Sequence, residues 1–462
     1  RNELLRGYAY LSVPSPLRRA LHGLIADRLL LAEATGDHIP GLTLAWHCFR
    51  AGRPLQAEPY LLRGSREALR KGGTFEVELA LTSAMQGLTL ISSSEARLLL
   101  AEALQEQNRH SEALDLLDET KEEDQRLEQR RRILHVRSKA ELSTSREEAI
   151  AVLDSLEALL AQASTPGDRI ATLEWANHPL YLLADRNAAL RLLNIASDLG
   201  PLAVEVEDRA RLARLLAFSN WLARNRESIP RLCVQLTRIG AECQAAGLAN
   251  LSTWSVFSGL GCLQLGLGSY AEGLGNFRTA YRISNRLGNE PKMAAAAINI
   301  AICHGRQGEY LQQLTWTEKA ARHLKSGGSD WMRLQGAYYR ALGFCMIGEN
   351  RKGLEEIEAF DTDLPTGRPQ WMVQSSAVMV ADIFYAAGDP DRATRIAGEG
   401  FRLAGFDPLG QGYAGIIARW VERTDSHAED SALPIIEGLC DALEDYDLID
   451  QAEILCARER LA

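Results

Sequence analysis

Aromatic residues are scarce in this 462-residue chain, at 6% of the total. Val and Ile are modest beside Leu and Ala, a balance that disfavours sheets and favours helices. No apolar run approaches the roughly 18 residues of a membrane helix, and no secretory leader opens the chain. The eight cysteines (48, 233, 243, 262, 303, 345, 440 and 456) include no C-x-x-C pair. They read as small core residues of a reducing compartment, which sets aside a disulfide framework and a zinc site. The expected location is the cytoplasm, with no membrane association.

Catalytic signatures are missing too. The chain has no G-x-x-x-x-G-K-[ST] phosphate loop, no H-E-x-x-H, no G-x-S-x-G elbow and no carboxylate pair with histidine at metal spacing. The string GLGCLQLGLGSYAEG is rich in glycine, but it follows a helical pattern rather than a strand, so it is not a dinucleotide loop. No catalytic, cofactor or metal site is expected, and the chain is not read as an enzyme. The net charge of −10, from 51 basic and 61 acidic residues, speaks against direct contact with nucleic acid. The one basic cluster, Arg130-Arg131-Arg132 with Arg137 and Lys139, follows Glu122, Glu123, Asp124 and Glu128 and reads as a solvated helix face.

What the chain has is a repeat. Glycine recurs at 268, 308, 348 and 388, a constant spacing of 40. Seven residues earlier stand Gly261, Ala301, Ala341 and Ala381, and five later stand Gly273, Gln313, Gly353 and Ala393. Small residues at such places let two antiparallel helices approach closely. A second glycine ladder at 247, 288, 328 and 367 suits the left-handed end of each second helix. Each unit is therefore helix, tight turn, helix, loop. Weaker copies precede this block, with turns near Gly73, Asn108, Thr144, Ala184 and Asn225, and a last pair is expected from Leu433 to Leu461, turning near Asp447.

The stretch FSGLGCLQLGLGSYAEGLGNFRTAYRIS resembles the tetratricopeptide repeat: Leu260-Gly261 in the first helix, Gly268 and Tyr270 at the turn, Phe277 and Ala280 in the second. The unit is longer than that family's usual one, and Gln264 replaces an expected aromatic. The resemblance implies an all-α fold, a right-handed superhelix of about ten tetratricopeptide-like helix pairs with a unit of about 40 residues.

The first sixty residues do not follow the period. Glu3-Leu4-Leu5, Tyr10, Arg18-Arg19-x-x-His22, Ile25-Ala26, Ala45-x-His47 and Ala51-Gly52 resemble the region of bacterial STAND ATPases where a winged helix hands over to repeats. Those proteins include the large ATP-binding LuxR-type regulators and cyclase-linked ATPases. The resemblance implies a connector over residues 1–40 and a repeat array over 41–462. It also implies a fragment that begins inside the ELLR motif, with an ATPase domain upstream in the full-length protein. His22 is structural in this reading.

Function then reads as the regulatory sensor and protein-interaction region of a STAND-type signalling protein or transcriptional regulator, binding a protein, peptide or small-molecule effector and oligomerising on activation. The alternative is a free-standing peptide- or protein-binding scaffold, like pheromone receptors or co-chaperones of the same repeat. In such arrays first helices line the concave face. The candidate groove residues are therefore Glu174, Trp175, Asn177, His178, Asn220, Asn299, His304, Arg306, Tyr338 and Tyr339. Asn299 falls where peptide-clamping members place an asparagine on the ligand backbone. For Trp175, Trp221 and Tyr339 the competing reading is packing between helix pairs.

Overall fold

The computed structural model describes residues 8, 10–87, 94–120, 124–183, 186–222, 228–325, 328–358 and 370–404, with 437, 440, 454–456 and 458. Every regular element among them is helical. In chain order they are α1 (Ser15–Ala34), α2 (Gly41–Arg50), α3 (Pro54–Arg70), α4 (Thr74–Gly87), α5 (Ser94–Glu106), α6 (His110–Asp118), α7 (Gln125–Leu142), α8 (Arg146–Gln162), α9 (Pro166–Leu173), α10 (Asn177–Leu183) and α11 (Arg186–Leu199). There follow α12 (Val206–Leu222), α13 (Ile229–Ala245), α14 (Leu251–Gly266), α15 (Tyr270–Leu287), α16 (Glu290–Arg306), α17 (Tyr310–His323), α18 (Asp330–Met346), α19 (Asn350–Ile357), α20 (Gln370–Ala386) and α21 (Pro390–Ala404). The chain has a tetratricopeptide-like, all-α fold of tandem helix pairs. It divides into two compact units: residues 1–138 with 247–250, and 139–246 with 251–462.

The helix pairs of the second unit show why the glycine ladder exists. Gly268, Gly308, Gly348 and Gly388 each have positive φ, from 76° to 93°, and each sits in the three-residue turn between paired helices. A side chain there would be strained, so glycine recurs. Small residues on the helices follow from close approach. A Cβ on Gly353 would stand 3.0 Å from the carbonyl oxygen of Ala341, and one on Gly261 would meet the Phe277 ring at 2.7 Å. Ala301, Ala341 and Ala381 are fully buried. Gly288 closes α15 in the left-handed conformation, and Gly247 and Gly328 also have positive φ.

The weaker copies are partly visible. Gly73, Asn108 and Thr144 fall between helices, and Asn108 has φ of 67°; asparagine is among the few residues that tolerate that conformation in place of glycine. Ser145 and Glu148 form a reciprocal capping box at the start of α8. Ala184, Asn225, Gly367 and the turn at Asp447 lie outside the described residues.

The first unit is held by two kinds of contact. Its core is aliphatic, with Leu44, Leu61, Val77, Leu81 and Leu99 almost fully buried, and Gly41 of α2 meets Gly64 of α3 backbone to backbone. It also buries polar groups. Arg137 donates to Glu106 at 2.7 Å, with side chains only 4% and 7% exposed. Gln105 Nε2 donates to the Leu134 carbonyl and to Ser138 Oγ at 2.6 and 2.7 Å. The expectation of a solvated basic face is therefore corrected at Arg137. Arg130 reaches back to Glu102 at 2.7 Å, and Arg131 pairs with Glu128 one turn before it.

His22 is 5% exposed, and its Nδ1 stands 3.0 Å from Nδ1 of His47, with the Tyr10 hydroxyl 3.0 Å from Nε2. Only one of two facing Nδ1 atoms can carry a proton. Burial, followed by the charges of His47, Arg50 and Arg18, lowers the His22 pKa, and burial lowers that of His47.

Two predictions follow from these contacts. Ala341→Leu overpacks the α18–α19 pair and costs about 1–3 kcal/mol, read as a lower melting temperature; an unchanged melting curve would place Ala341 outside the interface. Depressed histidine pKa values mean that the unfolded chain takes up protons first as pH falls. The first unit is therefore most stable above about pH 6.5 and loses stability as pH drops from there toward the folded pKa values. Urea midpoints measured between pH 7.5 and 5.5 should show that fall, and it should flatten in His47→Gln.

Candidate functional site

A cavity of about 470 Å³ lies within the second unit. Its walls come from the first helices of successive pairs, each contributing a stripe at helical spacing: Asn177 and Tyr181 from α10; Arg214 and Phe218 from α12; Trp254, Ser258 and Cys262 from α14; Asn299, Ile302 and Arg306 from α16; Trp331, Gln335 and Tyr339 from α18. Residues three, four or seven apart share one helix face, which is why each helix presents such a stripe.

Local sequence sets the α10 contribution. Pro179 has no N–H to bond the carbonyl of Trp175, and the helix is interrupted there by a 3-10 turn at Glu174–Ala176. Asn177 emerges just after that break. Its Nδ2 donates to the Arg214 carbonyl at 3.1 Å, which leaves Oδ1 buried and without a hydrogen-bond partner among the described residues.

Arg214 is placed by charge and by an aromatic face. Its Nη2 donates to Glu141 at 3.1 Å, and its guanidinium stands 4.8 Å from the centroid of the Trp175 ring. The same carboxylate accepts from Lys292 at 3.3 Å, and Lys292 Nζ lies 5.4 Å from the centroid of Trp254. Glu141 therefore holds two cations, each against a tryptophan. After these bonds, Arg214 Nη1 and Trp254 Nε1 remain buried without a hydrogen-bond partner among the described residues. A buried polar atom left unmatched costs about 1–3 kcal/mol, and three such atoms belong to residues that line this one cavity. The lining includes two arginines and no carboxylate.

Of the ten groove residues expected from sequence, the structure brings Asn177, Asn299, Arg306 and Tyr339 to the cavity. Most of the others are engaged in packing. Glu174, 3% exposed, accepts from Ser252 and lies 3.5 Å from Arg211. Trp175 is buried under Arg214. His178 Nε2 pairs with the Ser143 carbonyl at 3.1 Å, and burial lowers its pKa. His304 Nδ1 pairs with Glu309. Tyr338 donates to Asp382 at 3.1 Å. The side chain of Asn220 lies outside the described residues. Sequence reasoning missed Tyr181, Arg214, Phe218, Trp254, Trp331 and Gln335. The signal that could have found several of them is a polar or aromatic residue every three to four positions on first helices, as in Trp331-Gln335-Tyr339 and Arg214-Phe218.

Among the described residues no group of three metal-ligating side chains exists, and no helix is long and apolar enough to cross a membrane. No family model matches the chain, and no curated protein matches it. Solved structures similar in fold include a Rap protein complexed with competence and sporulation factor, 13% identical, with 80% of this chain and 96% of that chain covered at a TM-score of 0.47. A STAND protein with a tetratricopeptide-repeat sensor from Pyrococcus horikoshii is 13% identical over 77% of this chain and 54% of that chain, TM-score 0.46. The human IFIT1 dimer with m7Gppp-AAAA is 13% identical over 95% and 94%, TM-score 0.47. Likenesses this distant assign no activity.

Proposed function

We propose that this protein is a repeat sensor: the cavity between first helices receives an effector, and occupancy changes how the array engages a protein partner. The observation that carries it is the 470 Å³ space walled by five first helices. Its size falls in the range of about 300–1,000 Å³ typical of ligand sites, and three of its lining residues carry a buried polar atom without a hydrogen-bond partner among the described residues. A ligand that bridges α10, α12, α14, α16 and α18 would favour one arrangement of these helices over others, which is what a sensor requires. In this reading the chain acts in the cytoplasm without catalysing a reaction, and oligomerisation is its output.

The motifs of residues 2 to 75 support placing this sensor in a STAND-type regulator. The complete coding sequence tests that placement: a phosphate loop is expected within about 300 residues upstream, a typical size for that domain. Its absence would overturn the regulator while leaving the sensor array.

A free-standing peptide scaffold is the second reading, and the half-buried Asn299 in the cavity wall favours it. Asn299→Ala should then weaken a peptide selected against the isolated chain by about 1–3 kcal/mol, measured by calorimetry. Unchanged affinity would remove Asn299 from the ligand contact.

A further inference from the structure

We infer that the cavity of the second unit takes a small organic anion: an acidic group held by Arg214 and Trp254, on an aromatic or apolar body, with an N–H or O–H that meets Asn177. The inference rests on the reading of this cavity as an effector site and names its ligand class.

Each part of the ligand answers an observed group. Arg214 Nη1 and Trp254 Nε1 can only donate, and both are buried and unmatched among the described residues. They call for an acceptor, and a guanidinium binds a charged acceptor more strongly than a neutral one. Two arginines line the space and no carboxylate does, so an anion entering it meets no like charge on the wall. Glu141 is the nearby acid. It is already shared between Arg214 and Lys292, with its side chain 10% exposed, so it fixes the arginine rather than competing for Nη1.

Asn177 supplies the complement. Its Nδ2 is committed to the Arg214 carbonyl, which leaves Oδ1 as a buried acceptor without a partner among the described residues, suited to a donor on the ligand. Tyr181, Phe218, Trp331 and Tyr339 add aromatic faces to the remaining wall, beside Leu263, Leu265 and Ile302, which suits a flat or apolar body. The volume of about 470 Å³ suits a small molecule.

A pair of probes that differ in one group tests this. 8-Anilinonaphthalene-1-sulfonate carries a sulfonate, an aromatic body and an anilino N–H; N-phenyl-1-naphthylamine is the same molecule without the sulfonate. The site-specific readout is alkylation of Cys262, which lines the cavity, by N-ethylmaleimide at pH 8.5, followed by peptide mass spectrometry. The expected result is that the sulfonate protects Cys262 saturably, at a concentration at least tenfold below that of the neutral probe. Arg214→Gln, with its fold checked by circular dichroism, should remove the difference by weakening the sulfonate alone. The comparison of the two probes on the unaltered chain stands even where that variant fails to fold. Equal protection by both probes would overturn the anion while keeping the cavity as a ligand site. No protection by either would overturn the effector-site reading as well.

Discussion

Close approach of paired helices is the constraint from which the second unit follows. Gly353 lies against the backbone of Ala341, and Gly261 against the face of Phe277, so neither position accepts a larger residue without movement. The turn glycines at 268, 308, 348 and 388 then reverse the chain within three residues. Once these contacts are satisfied, one face of every first helix is committed to its partner, and the opposite stripe is left to meet its neighbours in the array.

That division explains why the cavity is built from stripes. The stripes that line the cavity carry large or polar side chains, Trp331, Gln335 and Tyr339 among them, beside small ones such as Ala217 and Gly259. The polar atoms there are matched only in part. Glu141 anchors Arg214 and Lys292, and the atoms left over point the chemistry of the space toward an anion with a donor.

Polar groups elsewhere serve the fold. Glu174 ties the 3-10 turn to Ser252 and Arg211, Tyr338 reaches Asp382, and Arg137 is buried against Glu106. Breaking one member of such a buried pair is costly because it strands the other. A polar residue on a first helix is thus no indicator of a binding surface by itself; what separates Asn177 from Glu174, three residues apart, is that the glutamate is fully engaged and the asparagine is not.

The period, the helix pairs and the turn positions were legible in the chain because they are local. A glycine forced to positive φ, or an alanine where helices touch, leaves its mark every 40 residues. His22 of the N-terminal motif is buried. The cavity was legible only in part: Asn177, Asn299, Arg306 and Tyr339 could be picked as polar or aromatic residues of first helices, but not told apart from Trp175 or Tyr338. That distinction belongs to tertiary structure. The pairs that decide it join positions far apart in sequence, 73 residues between Glu141 and Arg214, 78 between Glu174 and Ser252, and 151 between Glu141 and Lys292. Helical periodicity specifies which residues share a face; only the packing of helices against one another decides whether that face closes on a neighbour or stays open to a ligand.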